Sequence, residues 1–263
     1  ASLAEDASTT LPTPPATPPT YFNDLAPAPP AQSVTIDLQL SNDVGQLVNM
    51  NADAAYDMAM SAAQTSGLYA HPEVLSRLVE QLGRNGSTDK VREVYLLAYA
   101  ALPVFASDPT AQSVMWVMLE DRMIIALCQV GALTEVAIHR KRLIDAGSAP
   151  SADGYAAMIL NMQETTDDAT VELTYFEESQ RLNVAPNVFL FNTVISKLSR
   201  ARRASDALAY FEFMKNCGLQ PSSITYGAII NACCKTGDDK TADFLFQEMT
   251  ASPGFRPRVP PYN

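Results

Sequence analysis

The stretch NVFLFNTVISKLSRARRASDALAYFEFMKNCGLQPS, residues 187–222, is followed at once by SITYGAIINACCKTGDDKTADFLFQEM, residues 223–249. Setting Phe191 over Tyr226 brings the two into register at an offset of 35: Ile195 falls on Ile230, Ala207 on Ala242, Phe211 on Phe246 and Met214 on Met249. Gly218 returns as Gly254 and Pro221 as Pro257 at an offset of 36, one residue being added in the turn near Ser252 to Gly254. A match of residue types at one fixed spacing of this size is the signature of stacked repeats.

The same period extends outward in both directions. Four units are read at 117–151, 152–187, 188–222 and 223–258, and VPPYN at 259–263 opens a further one. Each unit divides into a first helix, a short turn, a second helix and a closing turn. Gly147 and Gly218 fall where a helix C-cap requires the left-handed conformation. Pro150, Pro186, Pro221 and Pro257 follow, where proline stops the helix. One helix pair carries apolar residues on both flanks and covers neither; stacking pairs covers both. Ala207 and Ala242 suit close helix approach, and Phe211, Met214, Phe246 and Met249 read as the packing between units. The expected fold class is all-α, a solenoid of stacked antiparallel helix pairs.

Residues 43–116 read as a diverged N-terminal helical region. A helical pattern runs from Asp43 to Ser66 and ends at Gly67. Further helices are expected over His71–Leu82 and Asp89–Leu102. Leu82 and Gly86 keep the register of the later units, making 72–102 a diverged pair, and PVFASDPTAQS at 103–113 reads as an insertion or turn. Residues 1–42 read as a tail and lead-in. Eight of the 18 prolines lie within 1–30, so this segment is expected to be extended, mobile and disordered. Its plain role is a linker; a sharper one is a docking peptide for a partner's aromatic groove. Tyr21–Leu25 could anchor it on the folded part, and Val34–Leu40 reads as a short extended lead-in.

The chain has 263 residues and a net charge of −11, which argues against indiscriminate binding of nucleic acid or anionic lipid. The charge is uneven: residues 188–258 carry nine Lys or Arg against six Asp or Glu, a local +3, leaving −14 on residues 1–187. Cys128, Cys217, Cys233 and Cys234 form no CxxC pair and fit buried free thiols in a reducing compartment. His71 and His139 are isolated in sequence. With no phosphate-cradling glycine loop, metal-ligand cluster or nucleophile–base pairing in the pattern, neither a catalytic role nor a cofactor is expected. The longest apolar runs fall short of a membrane span. The opening ASLAEDASTT is acidic and lacks arginine, unlike a mitochondrial presequence.

The openings PNVFLFNTVISKL and PSSITYGAIINAC, with the closing ALAYFEFMKNCGLQP, resemble the pentatricopeptide repeat family. The resemblance is strong over 186–258, fair over 117–185 and weak over 72–116. It implies a right-handed superhelix whose first helices line a groove for single-stranded RNA. It further implies that the fifth residue of each unit, with the last residue of that unit, touches one base. Helical repeats that read RNA spend two or three side chains per base. Asn192 with Ser222 fits that pattern and looks pyrimidine-reading, with Phe189 and Ile224 as the sandwiching pair. Asn263 takes the fifth place of the next unit. Asp121 with Ser151, Ala156 with Asn187, and Gly227 with Arg258 depart from the pattern. Arg200 and Lys235 are candidate phosphate contacts, with Arg202 and Arg203 nearby.

The resulting expectation is a non-catalytic adaptor in an organelle, the mitochondrial matrix by resemblance, that holds RNA through its C-terminal repeats in processing, stability or translation. The alternative is a protein-interaction scaffold in an organellar complex. Its basis is the acidic N-terminal half, which suits protein partners, and the units that lack a readable pair.

Overall fold

The computed structural model describes residues 11–24, 34–161 and 169–251. They form twelve α-helices and a minimal two-strand ladder, divided between two compact units, Ala1–Pro150 and Ser151–Asn263.

In the first unit, β1 (Thr35–Ile36) pairs in parallel with β2 (Leu68–Tyr69). Where one helix is expected over 43–66, there are two: α1 (Leu38–Leu47) and α2 (Ala52–Ser66). The reason is local. Asp37 caps α1 by accepting from the Leu40 amide, and Asn51 restarts the chain as the N-cap of α2, its side chain accepting from the Ala54 amide at 3.0 Å. Val34–Leu40 is therefore a two-residue strand running straight into a helix rather than a wholly extended lead-in. Then come α3 (Pro72–Arg84) and α4 (Thr88–Ala101). The segment expected as an insertion over 103–113 is a short 3-10 turn at Leu102–Phe105, after which α5 (Pro109–Val130) begins eight residues ahead of Val117. Asp108 accepts from the Ala111 amide at 3.0 Å, and Pro109 fills the first helical position, whose amide would be unpaired in any case. That pair of signals outweighs the polar composition around it. The unit ends with α6 (Leu133–Asp145).

α3 is packed between α4 and α5. Leu75, Leu78, Leu82, Tyr95, Trp116, Leu119, Met123 and Ile124 have no exposed surface. Gly83 permits the close approach of α3 to α5: a Cβ placed there would lie 2.6 Å from both Cα and Cβ of Ala126. Among these apolar residues sits one carboxylate. Glu120 of α5 accepts from the Tyr95 hydroxyl at 2.7 Å and the Trp116 indole at 3.0 Å; the His139 ring lies at 2.6 Å and the Arg142 guanidinium at 3.1 Å. Burial works against its charge, but the His139 hydrogen bond, Arg142 and the Tyr95 hydroxyl together hold its pKa below the ordinary carboxylate value. His139, isolated in sequence, is thus a fully buried member of a polar core. His71 is a helix cap, its Nδ1 3.3 Å from the Glu73 amide.

The proline-rich segment is the main departure from expectation. Residues 11–24 are docked rather than mobile: the Tyr99 hydroxyl donates to the carbonyls of Pro15 and Thr17, and Arg142 donates to Thr17 at 3.2 Å. Phe22 is 4% exposed and stacks on Tyr95 at 5.0 Å, as the anchor reading of Tyr21–Leu25 anticipates. Residues 1–10 and 25–33, the rest of the expected tail, lie outside the described residues.

The second unit contains α7 (Ala152–Asn161), α8 (Thr170–Arg181), α9 (Val188–Arg200), α10 (Ala204–Asn216), α11 (Ser223–Thr236) and α12 (Asp239–Ala251). The first helices α7, α9 and α11 pack side by side, α9 in the middle. The second helices α8, α10 and α12 each pack on their own first helix, and α10 also on α11. Phe191, Ile195, Phe211 and Met214 are fully buried, and Ala242 and Met249 nearly so, while Ile230 and Phe246, the register partners of Ile195 and Phe211, are half-buried. Cys128 and Cys233 are buried, while Cys217 and Cys234 are exposed, so only two of the four thiols match expectation. Burial pushes the Cys128 thiol up to about 12. Among the described residues, no helix is long and apolar enough to cross a membrane and no His, Cys, Asp or Glu cluster could hold a metal ion.

Two predictions test this core. Gly83→Ala forces α3 away from α5 and should cost about 1–3 kcal/mol, read as a lowered midpoint in denaturant unfolding. Glu120→Gln strands Arg142 beside a neutral amide and should cost about 3–5 kcal/mol at pH 7. Because the Glu120 carboxyl titrates lower folded than unfolded, its contribution is present above its ordinary value of 4.5 and is lost as pH falls below it. The variant's unfolding midpoint should accordingly depend less on pH in that acid range than the wild type's.

Candidate nucleic-acid interface

The second unit joins its repeats through helix caps. The residue closing each repeat is the N-cap of the next first helix. Ser151 accepts from the Gly154 amide at 3.0 Å, Asn187 from the Leu190 amide at 2.9 Å, and Ser222 from the Thr225 amide at 3.3 Å. The last-residue positions singled out in the sequence therefore already have a structural task.

At the α9–α11 junction that task is shared with Asn192. The Thr225 hydroxyl donates to Asn192 Oδ1 at 2.5 Å, Asn192 Nδ2 donates to Ser222 Oγ at 3.4 Å, and the Ser222 amide donates to Thr225 Oγ1 at 2.9 Å. With the Thr225 proton spent on Asn192, the 3.1 Å contact between the two hydroxyls is completed by the Ser222 proton. The three side chains form a closed ring of donors and acceptors, all running one way. The ring uses one donor and one acceptor of the Asn192 amide and leaves one of each. Phe189, 45% exposed, lies one turn before Asn192; Ile224, 63% exposed, lies beside the Ser222 cap. Two exposed apolar side chains and an amide held in place form a surface that can take a flat heterocycle, stacking on its face and hydrogen-bonding its edge.

The remaining candidates divide. Arg200 and Lys235 are exposed near the ends of α9 and α11, on the same two helices as the ring. Arg203 is paired with Asp206 at 2.6 Å. Arg202 takes a positive φ of 57°, filling the left-handed turn after α9 that Gly131 and Gly237 fill after α5 and α11. Gly227 is followed by open space, so a Cβ there meets nothing within 4 Å. Ala156 is fully buried, and Asn187 is drawn to Asp153 at 2.8 Å, so this pair offers no readable edge. Asp121 is 7% exposed. Arg258 and Asn263 lie outside the described residues. Thr225 is the participant that sequence reasoning missed. Its signal was present: a hydroxyl three residues after a serine N-cap is the spacing of a reciprocal cap.

Side-by-side first helices, each capped by the last residue of the repeat before it, define a helical-repeat protein. The family model described as PPR repeat family matches residues 186–235, and a second, PPR repeat, matches 224–252. Residues 186–252 therefore carry pentatricopeptide repeats. The chain is 38% identical, over 52% of its length, to pentatricopeptide repeat-containing protein 5, mitochondrial, of Schizosaccharomyces pombe, covering 11% of that protein. It is 26% identical over 49% of its length to the mitochondrial 15S rRNA processing factor CCM1 of Yarrowia lipolytica, covering 17% of it. Among solved structures, PPR10 in complex with an 18-nt psaJ RNA element aligns over 85% of this chain at a TM-score of 0.54 and 22% identity; the chain covers 32% of it. PPR10 from maize aligns at 0.51 over the same share. The chain thus spans between about a tenth and a third of the length of these relatives.

Removing the ring separates its two tasks. Ser222→Ala and Thr225→Val should each lower stability by about 1 kcal/mol through the lost cap of α11, read by thermal or denaturant unfolding. Asn192→Ala removes no cap and should shift stability by less than either.

Proposed function

We propose that this chain is a non-catalytic RNA-binding adaptor that holds single-stranded RNA against the first helices of its second unit. The observation carrying the proposal is the Asn192–Ser222–Thr225 ring between exposed Phe189 and Ile224. A pre-positioned amide loses little rotamer freedom on binding, so its spare donor and acceptor are available for a base edge. A pyrimidine, with adjacent donor and acceptor groups, suits one amide of each kind. Arg200 and Lys235, exposed near the ends of α9 and α11, are the proposed phosphate contacts. The family resemblance, the RNA-bound PPR10 neighbour and the name of the rRNA processing factor support the same reading.

The repeats are proposed to run 117–151, 152–187, 188–222 and 223–258, with 259–263 opening another. The 188–222 and 223–258 repeats carry the contact. Gly227 offers room but no hydrogen bond, so specificity would rest on the one complete pair, and Arg258 and Asn263 would extend it. The address proposed is the mitochondrial matrix, since the relatives just named are mitochondrial, although others are chloroplastic. The net −14 of residues 1–187 leaves that half better suited to protein partners than to RNA.

The test is binding of short pyrimidine-rich RNA to the full chain across a salt series. Wild type should bind with a salt-dependent affinity. Asn192→Ala should weaken pyrimidine binding by about tenfold or more and flatten the preference over purines. Arg200→Glu should weaken all sequences alike and reduce the salt slope. Salt-insensitive binding, or binding indifferent to Asn192, would sink the proposal.

A further inference from the structure

The first unit contains a groove that holds a proline-rich peptide. α4 and α6 both pack on α5, and residues 15–22 touch both, through Tyr95 and Tyr99 of α4 and His139 and Arg142 of α6. Pro12, Pro14, Pro15 and Pro18 are half-buried and Pro19 is buried, while Leu11, Thr13, Ala16 and Thr17 face solvent. Donors on the groove wall, Tyr99 and Arg142, satisfy the carbonyls of Pro15 and Thr17, and the Tyr21 hydroxyl meets His139 Nε2 at 2.5 Å. Phe22 closes the run against Tyr95.

The second unit has the same place between successive second helices, and there it is open. Between α8 and α10 lies a cleft of about 440 Å³ lined by Phe176, Glu177, Gln180, Ala209, Tyr210 and Phe213. Counted from the N-caps Ala132 and Arg203, Tyr210 of α10 stands where His139 stands on α6, and Phe213 where Arg142 stands. The walls are aromatic. Phe176 meets Tyr210 edge-to-face at 5.0 Å and Phe213 at 6.1 Å. Phe213 remains 39% exposed, while Phe176 beside it is buried. Proline rings pack on aromatic faces, and a strand of prolines presents carbonyls that only donors can satisfy. The Tyr210 hydroxyl and the Gln180 amide are such donors at the cleft.

We infer that the α8–α10 cleft is a docking site for an extended proline-rich segment of a partner protein, ending in an aromatic residue, seated as residues 15–22 are seated against α4 and α6. The site is on the second helices, while the RNA proposed above would lie on the first, so the two bind independently.

The test uses the full chain and a labelled peptide of residues 11–24, LPTPPATPPTYFND. In the wild type the first groove is already filled by the tethered copy, so the free peptide should report on the open cleft. Saturable binding is expected. Phe213→Ser and Tyr210→Ala should weaken it about tenfold or more, and a peptide carrying Phe22→Ala should bind correspondingly less well. Tyr99→Phe should leave it unchanged, because Tyr99 serves only the occupied groove. Exposed Phe213 makes Phe213→Ser compatible with folding; a cooperative melt close to wild type verifies this, and chemical-shift changes in the wild type confined to residues 176–180 and 209–213 give the same answer without a variant. Absence of saturable binding at millimolar peptide overturns the inference. So does binding that Phe213→Ser leaves intact, or that Tyr99→Phe abolishes.

Discussion

Everything in the second unit depends on a helix being covered on two sides at once. α9 shows why. Phe191, Val194, Ile195 and Leu198 are all fully buried, yet they do not share a single narrow stripe. One neighbour cannot cover them: α7, α8, α10 and α11 each take part of the surface, Phe176 of α8 meeting Phe191 at 5.3 Å. At about 25 cal/mol per Å² of apolar surface, each such flank left wet would outweigh the local propensity that holds a helix of this length together. Adjacent repeats are therefore energetically part of one another. The same logic holds in the first unit, where Gly83 lets α3 and α5 approach to backbone contact.

That interdependence reaches the proposed RNA site. A base-reading amide on a free surface would have to be fixed at the moment of binding. Here it is fixed beforehand by a hydrogen-bonded ring that also terminates the neighbouring helix. Asn192 and Ser222 belong to repeat 188–222 and Thr225 to repeat 223–258, so the ring closes only when those two repeats are stacked. Positioning is a by-product of stability. It also explains why Ala156 cannot be rescued by its partner: Asn187 caps α9 and is drawn to Asp153, but the facing side chain is a buried methyl.

Helix periodicity and the fixed register made the repeat architecture legible, because apolar residues at threes and fours have few other uses in a chain of this composition. Local signals that were overlooked explain part of the rest. Asp108–Pro109 is an ordinary helix start inside a stretch that reads as an insertion or turn, and Asn51 is one inside a stretch that reads as a single helix. Other features carry no local signal. Asn183 and Arg202 occupy left-handed turns where glycine would have announced a helix end. Glu120 and His139 are 19 residues apart in sequence, and neither shows that Tyr95 and Tyr21 converge on them. Phe189 and Ile224 were identifiable only through the family's pattern; apolarity alone would have assigned them to the core. Thr225 lay between these cases, visible as a cap but not as a partner of Asn192.

The docked N-terminal segment changes how the acidic half of the chain is understood. A proline-rich stretch has little capacity to stabilise itself, since it lacks amide donors and forms no ladder. It remains ordered only where something else supplies donors and aromatic surface. Tyr99, Arg142 and Tyr95 do so, and Arg142 is itself held in place by Glu120. The buried carboxylate thus acts twice: it satisfies the polar groups of the core, and it fixes the guanidinium that receives the peptide carbonyl. A charged residue in an apolar core is costly unless every partner is present, and here the partners form the groove floor and wall. Unit 1 has committed a buried ion pair to holding an extended segment, while unit 2 places aromatic rings at the corresponding helix positions and leaves them open. The difference lies in the wall residues: Tyr99, His139 and Arg142 in the first unit, Phe176, Tyr210 and Phe213 in the second.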